Sequence, residues 1–260
     1  MKKRTWKVIA VISFAAAVIL TAVVLRIYTQ REHARQTYEE MRQQNSEKRQ
    51  TDTQESKEQS KTKEKKKKLD IPMDFETLQK ENPDIYAWIT IPGTDIDYPV
   101  VQDSTDNTYY LNHAADTSLS DSGAIYSEKE NAKDFDDYLT VLYGHNMING
   151  SMFGTLRKFE DADFFKNHKE FYIYMPQKIL KYRIVAYMIQ DDTDILERYE
   201  ANNELGLEAY VKEFKQARNI RKKEKIKLDD SIVTLSTCDS NSGNRRLLQG
   251  VLQESLTTEN

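Results

Sequence analysis

An uncharged run of 18 residues, positions 8–25, lies almost at the start of the chain and removes that segment from any water-soluble core. A run of this length matches ~30 Å of hydrocarbon and exceeds the apolar stretch of most signal peptides. Lys2, Lys3, Arg4 and Lys7 precede it, and only scattered charge follows, which predicts a cytoplasmic N-terminus at 1–7 and the remaining chain outside the cell membrane after a single pass. Ala15, Ala16 and Ala17 are small enough for a cleavage site but lie mid-run. The segment therefore reads as a retained anchor rather than a cleaved signal.

Residues 26–70 are almost wholly polar and carry too few apolar side chains to build a core, so they read as an extracellular stalk. Residues 27–44 have the composition of a charged helix. The six lysines in 61–68 repel one another and favour an extended spacer over contact with an anionic surface.

At residue 71 the composition changes, and short aromatic and β-branched runs alternate with Gly, Pro, Asn and Asp, so 71–260 is the folded domain. Residues 73–82 read as a short helix with Phe75 and Leu78 on one face and Pro83 beyond its end. Strands are predicted at 85–91, 96–101, 123–126, 138–143, 170–175, 180–189, 231–235 and 245–252. Helical segments interrupt them at 151–158, continuing through Phe164 and Phe165, and at 204–218, where Leu207, Tyr210, Val211 and Phe214 share a face. Eight short strands without regularly alternating helices predict a mainly β fold, a closed antiparallel-rich barrel.

The net charge of −4 supplies no basic field for nucleic acid. The single cysteine, Cys238, excludes an internal disulfide and any multi-cysteine metal site, and no compact acidic cluster calls for calcium. Neither metal nor cofactor is expected. Cys238 closes an apolar strand where a polar stretch with Gly243 begins, a place where a thiol meets a ligand. A nucleophilic thiol needs an imidazole nearby. His145 closes another strand, after Tyr143 and Gly144, and His113 is the alternative; His33 and His168 read as solvent-facing. A cation that steadies an oxyanion completes the chemistry. Arg245 and Arg246 are both available, and strand alternation lets only one face the thiol.

The motifs Trp88-Ile89-Thr90-Ile91-Pro92-Gly93-Thr94, Ile96-Asp97-Tyr98-Pro99-Val100-Val101-Gln102, Asn107-Thr108-Tyr109-Tyr110-Leu111, Tyr143-Gly144-His145-Asn146-Met147 and Thr234-Leu235-Ser236-Thr237-Cys238 occur in an order that resembles the class B sortases of Gram-positive cells, over nearly all of 74–252. The resemblance implies an eight-stranded sortase barrel with an N-terminal helix and a long helix, here 204–218, inserted between strands 6 and 7. It also implies a transpeptidase whose cysteine cleaves a C-terminal sorting signal of the Asn-Pro-x-Thr or Leu-Pro-x-Thr type at its threonine. The secreted protein that bears the signal then passes to an amine of a peptidoglycan precursor or a pilin. By family position, Cys238, His145 and Arg245 are catalytic, with Arg246 the alternative to Arg245. Asn107, Leu111, Ser236, Thr237 and Asp239 are placed at the substrate groove. Two other outcomes remain open on the sequence: an endopeptidase that resolves the acyl enzyme with water, and a non-catalytic binding module.

Overall fold

No glycine or proline occurs before Pro72, so nothing in the first part of the chain breaks a helix. The computed structural model describes residues 2–58, 71–199, 203–221, 226–227, 229–239 and 243–257. Its first element is one helix, α1 (Lys2–Glu58). The apolar part of α1 is long enough to cross a membrane and is wholly exposed, which is compatible with an anchor. Beyond it, Ala34, Tyr38, Met41 and Asn45 are buried against the folded domain. Their i, i+4, i+7, i+11 spacing places them on one face of the helix. The segment expected to act only as a stalk thus docks: its apolar stripe is too thin to make a core but sufficient to lie on one. The lysine run at 61–68 falls outside the described residues.

A short helix, α2 (Phe75–Glu81), is capped by the Asp74 side chain and buries Phe75 and Leu78. The sheet follows: β1 (Ile85–Thr90), β2 (Asp97–Val101), β3 (Ile125–Ser127), β4 (Leu139–Tyr143), β5 (Glu170–Met175), β6 (Lys178–Asp191), β7 (Asn219–Ile220), β8 (Ile232–Asp239) and β9 (Asn244–Thr257). Eight of them pair in the order β5-β1-β2-β3-β4-β8-β9-β6, and β5 pairs with β6 to close a barrel. The two-residue β7 adds to the outer side of β6. Two pairings are parallel, β2 with β3 and β4 with β8; the others are antiparallel.

The predicted strands are all present, and β6 and β9 run longer than expected. Their ends, such as Lys178, Gln253, Glu254 and Thr257, are polar residues recruited by the β6–β9 ladder with no apolar signature of their own. The segment predicted as a helix at 151–158 is a 3₁₀ helix (Gly154–Glu160) leading into α3 (Ala162–Asn167), whose first turn is capped by Asp161. The insertion after β6 consists of α4 (Ile195–Tyr199) and α5 (Glu204–Glu213), with Asn203 capping α5 and a 3₁₀ turn carrying its end to Gln216. His168, expected to face solvent, is half-buried, with its ring stacked on Phe164 at 3.7 Å.

The interior is apolar and tight. Phe171 and Tyr182 stack with ring centroids 5.0 Å apart, and a Cβ added at Gly250 would lie 2.2 Å from the Phe171 ring. Only glycine allows β9 to pass beneath that stack. Gly250→Ala is expected to cost about 1–3 kcal/mol through overpacking, lowering the thermal midpoint by several degrees in circular dichroism melts. Phe171→Leu in the same background should restore part of the loss; strict additivity of the two substitutions would show the contact is not the cause.

Candidate active site

The parallel pairing of β4 with β8 brings two strand ends out of the barrel side by side. The register runs from Leu139↔Ile232 to Tyr143↔Ser236. Beyond it, Gly144 N–H donates to Ser236 O at 3.1 Å, Thr237 Oγ1 donates to Gly144 O at 2.6 Å, and Asn146 Nδ2 donates to Cys238 O at 2.9 Å. His145 therefore sits between two residues that are both tied to the 236–238 segment. A Cβ at Gly144 would lie 2.5 Å from Ile125 Cδ1 and 2.8 Å from the Phe153 ring, so the strand needs glycine to turn out at this point.

The half-buried His145 ring places Nε2 2.7 Å from the Leu111 carbonyl oxygen. A carbonyl only accepts, so Nε2 carries the proton in this arrangement and the other ring nitrogen is Nδ1. Cys238 is exposed. Its partner across β8 and β9 is Arg245, while Thr237 faces Arg246. Directly opposed residues share a face of the sheet, so Arg245 lies on the Cys238 side and Arg246 on the other.

The two arginines have different surroundings. Arg246 donates to Glu160 and to Tyr187 Oη at 2.8 Å each and to Asp239 at 3.0 Å, a partly buried network on the far face. Arg245 is held by Asp192, from the loop that follows β6, and its guanidinium lies 5.5 Å from the centre of the Tyr143 ring. Burial opposes the charge of Arg245, but the Asp192 hydrogen bond and charge outweigh it, with Cys238 and Tyr143 adding to the effect, and hold its pKa above the ordinary value.

Tyr143 stacks on Tyr126, its partner on β3, at 5.4 Å. Burial pushes Tyr126 up to about 12, against the pull of Arg245. Burial raises Tyr143 as well, reinforced by Glu128 and Asp194. Two aromatic rings, a cation and a thiol thus line one side of the barrel end. Farther along the same face, α5 packs across β8 through Tyr210, whose hydroxyl lies 2.9 Å from Thr234 Oγ1 and accepts from Gln249 at 3.2 Å.

The remaining expected residues are placed as follows. Leu111 is 41% exposed, and its carbonyl holds His145. Asn107 accepts from Lys129 N–H at 2.9 Å and donates to Glu130 at 2.7 Å, tying two loops together. Ser236 and Thr237 are fully buried, so neither side chain reaches solvent in this conformation; the Ser236 hydroxyl has no hydrogen-bond partner among the described residues. Asp239 is engaged by Arg246. His113 stacks on Tyr109 at 4.1 Å with Nδ1 2.8 Å from the Tyr109 carbonyl, where it braces its own turn. Among the described residues, no group of three or more His, Cys, Asp or Glu could hold a metal ion.

Asp192, Tyr126, Glu128 and Asn146 border the site without having been singled out. Asn146 follows the histidine directly, and Tyr126 occupies a strand position of the right parity. Asp192 and Glu128 lie just past strand ends and carry no such mark.

Comparison with known proteins bears on the family and the fold. The sortase domain model matches residues 89–250. Sortase B of Listeria monocytogenes is 36% identical over 180 residues, 67% of this chain and 72% of that protein. The crystal structure of Clostridium perfringens sortase B superposes with a TM-score of 0.64 at 32% identity, covering 70% of this chain and all of that one. The Staphylococcus aureus sortase B–substrate complex superposes with a TM-score of 0.68 over 86% of this chain and 97% of that one; at 24% identity it speaks for the fold. With its closed barrel, its helical insertion after β6 and its single cysteine at a strand end, the chain belongs to the sortase family, in class B, the cysteine transpeptidases.

Proposed function

We propose that Cys238 is the nucleophile, His145 the acid–base group and Arg245 the oxyanion cation of this transpeptidase, and that its substrates are secreted proteins with a C-terminal signal of the Asn-Pro-x-Thr or Leu-Pro-x-Thr type. The observation that carries the reading is the register, which sets Cys238 opposite Arg245 on one face while hydrogen bonds on either side of His145 tie its turn to the same strand. A protein of the same fold, Staphylococcus aureus sortase B, was solved as a complex with its substrate.

The thiolate of Cys238 attacks the threonine carbonyl carbon, and the electron pair moves onto the oxygen, where the Arg245 guanidinium stabilises it. As the carbon–nitrogen bond breaks, imidazolium His145 gives a proton to the departing amine. Its Nε2–H stays on Leu111 O, so the proton on Nδ1 is the one available. The thioester is then attacked by an amine of a peptidoglycan precursor or pilin, which loses a proton to His145 as the thiolate leaves. Around this centre Leu111 offers an apolar contact, while Ser236 lies buried beneath it. Asn107, Thr237 and Asp239 hold the walls in place. The anchor at 8–25 with its basic flank keeps the enzyme at the cell membrane, with residues 1–7 cytoplasmic, 26–70 leading outward and the catalytic domain of 71–260 outside.

Glu128 sits beside the cation. Burial, with Asp194 and Glu130 adding to it, pushes its carboxyl up to about 7. Below that pH it is neutral and leaves the charge of Arg245 to the substrate oxygen.

With the full chain in nanodiscs, a labelled sorting peptide should yield a thioacyl species by mass spectrometry and a new amide only when triglycine is added. An identical product with and without the amine would identify a hydrolase, and acylation persisting in Cys238→Ala would remove the nucleophile assignment. Arg245→Ala is expected to lower turnover by about 10²–10³-fold. Arg246→Ala should instead lower the thermal midpoint, because it leaves Glu160 and Asp239 without their shared partner, while turnover stays near wild type. The reverse ranking would reverse the roles.

The folded protein holds the Glu128 proton up to about pH 7, whereas an unfolded chain releases it in the ordinary carboxylate range. The folded state therefore binds more protons between those limits, and this contribution to stability is lost as pH rises through 7. Glu128→Gln should flatten the fall in thermal midpoint between pH 5 and 8; parallel curves for variant and wild type would contradict this.

A further inference from the structure

The docked face of α1 lies on the connection between the 3₁₀ turn Tyr109–Leu111 and β3, and that turn supplies the hydrogen-bond acceptor of His145. Arg31 pairs with Asp121 at 3.3 Å and Thr37 donates to Asp116 at 3.1 Å, both near the rim of the contact. Arg42 donates to Asp97 O at 2.8 Å and lies over the Tyr98 ring at 4.6 Å. At the centre is Tyr38, 4% exposed, packed edge-on against Tyr98 at 5.2 Å.

The Tyr38 hydroxyl donates to Gly123 O at 2.8 Å and accepts from Ala115 N–H at 3.2 Å, closing the two ends of the 115–123 loop with a single side-chain atom. Burial drives its pKa upward, so the phenol keeps its proton.

Gly123 has φ +55°, and a Cβ there would lie 2.5 Å from Tyr110 O, 2.8 Å from Leu111 O and 3.1 Å from His145 Cδ2. Ala124 N–H donates to Tyr110 O at 3.0 Å. There is thus no room for a side chain between Gly123, the two carbonyls of the turn and the imidazole, and the Leu111 carbonyl accepts the Nε2 proton of that imidazole at 2.7 Å. With contacts this close, a displacement of Gly123 is transmitted directly to the ring.

The geometry points to Tyr38 as a positioning residue for His145, acting from the membrane-proximal helix through Gly123 and the Leu111 carbonyl. A phenylalanine would fill the same space, so the hydroxyl is needed for the two main-chain hydrogen bonds rather than for packing. The anchor helix is then part of the device that sets the acid–base ring, and turnover depends on its being docked. This inference rests on the reading of His145 as the acid–base group.

The test uses the full chain in nanodiscs, with ¹⁵N-histidine labelling to follow the His145 ring among the four histidines, and the labelled sorting peptide with triglycine for turnover. In Tyr38→Phe, the His145 signal should lose its fixed Nε2–H form. kcat should fall by about tenfold to a hundredfold with KM little changed, and the pH–rate profile should move with the ring. Ala34→Arg, which forces a long cation into the buried seam under the helix, should give the same spectrum. Thr37→Val, which breaks only the contact with Asp116, should leave both ring and rate as in wild type. An unaltered His145 signal and pH profile in Tyr38→Phe and Ala34→Arg would overturn the inference even if both variants melt earlier. His145→Asn separates the two readings: full turnover in that variant would end the acid–base assignment, while the ring spectrum in Tyr38→Phe would still report whether Tyr38 sets the imidazole.

Discussion

The site depends on the parallel pairing of β4 with β8. In an antiparallel pair the C-terminal ends of two strands point to opposite ends of the barrel, and His145 and Cys238 would be separated by its height. Parallel pairing puts both ends at one rim, but it requires a long return path. The chain between β4 and β8 supplies it, carrying α3, β5, β6 and the α4–α5 insertion before it comes back beside its starting strand. Much of the domain between the histidine and the cysteine is thus the crossover that lets them meet.

The antiparallel turn from β8 into β9 adds the third group by a simpler rule. Opposed residues share a face, so a single residue of register decides which arginine joins the thiol. Arg245 is opposite Cys238 and rests on Asp192 and the Tyr143 ring; Arg246 is opposite Thr237 and is consumed by Glu160, Tyr187 and Asp239. The two guanidiniums are adjacent in sequence and do unrelated work. Arg246 braces the far side of the strand pair, and Arg245 keeps a planar, delocalised charge at the open end, on the face that carries the thiol.

How much of this was legible in the sequence follows from how local each signal is. The core of each of the eight barrel strands was readable because β-branched and aromatic runs repeat at short spacing, and the limits of β5 coincide with the segment predicted at 170–175, whereas the two-residue β7 is too short to carry such a run. The outer halves of β6 and β9 were not, because polar residues such as Gln253 and Glu254 are strand only by virtue of the partner they pair with. Cys238 and His145 could be picked out as polar residues at strand ends, and alternation alone showed that Arg245 and Arg246 part company. The burial of Ser236 and Thr237 could not be anticipated, since it depends on α5 lying over one face of β8 and on the Gly144 carbonyl receiving the Thr237 hydroxyl on the other. Asp192 and Glu128 were invisible for the same reason: each reaches the site through tertiary contacts with no sequence spacing to announce them.

The polar segment after the apolar run shows most clearly how composition misleads. Averaged over its length it is too hydrophilic to fold alone, and as a spacer that is what it should be. Read at helical period, however, Ala34, Tyr38, Met41 and Asn45 form a narrow stripe, and a stripe is enough when a preformed barrel offers the opposing surface. From residue 25 to Ala34 there is room for only about 13 Å of helix at 1.5 Å per residue, with no glycine or proline to act as a hinge. A barrel that rides on such a helix is held near the end of the span and in a restricted orientation. A rigid, short connection confines the thiol to a thin layer at a fixed distance from the apolar part of the helix, and a flexible tether of the same length would spread it through a larger volume at lower effective concentration.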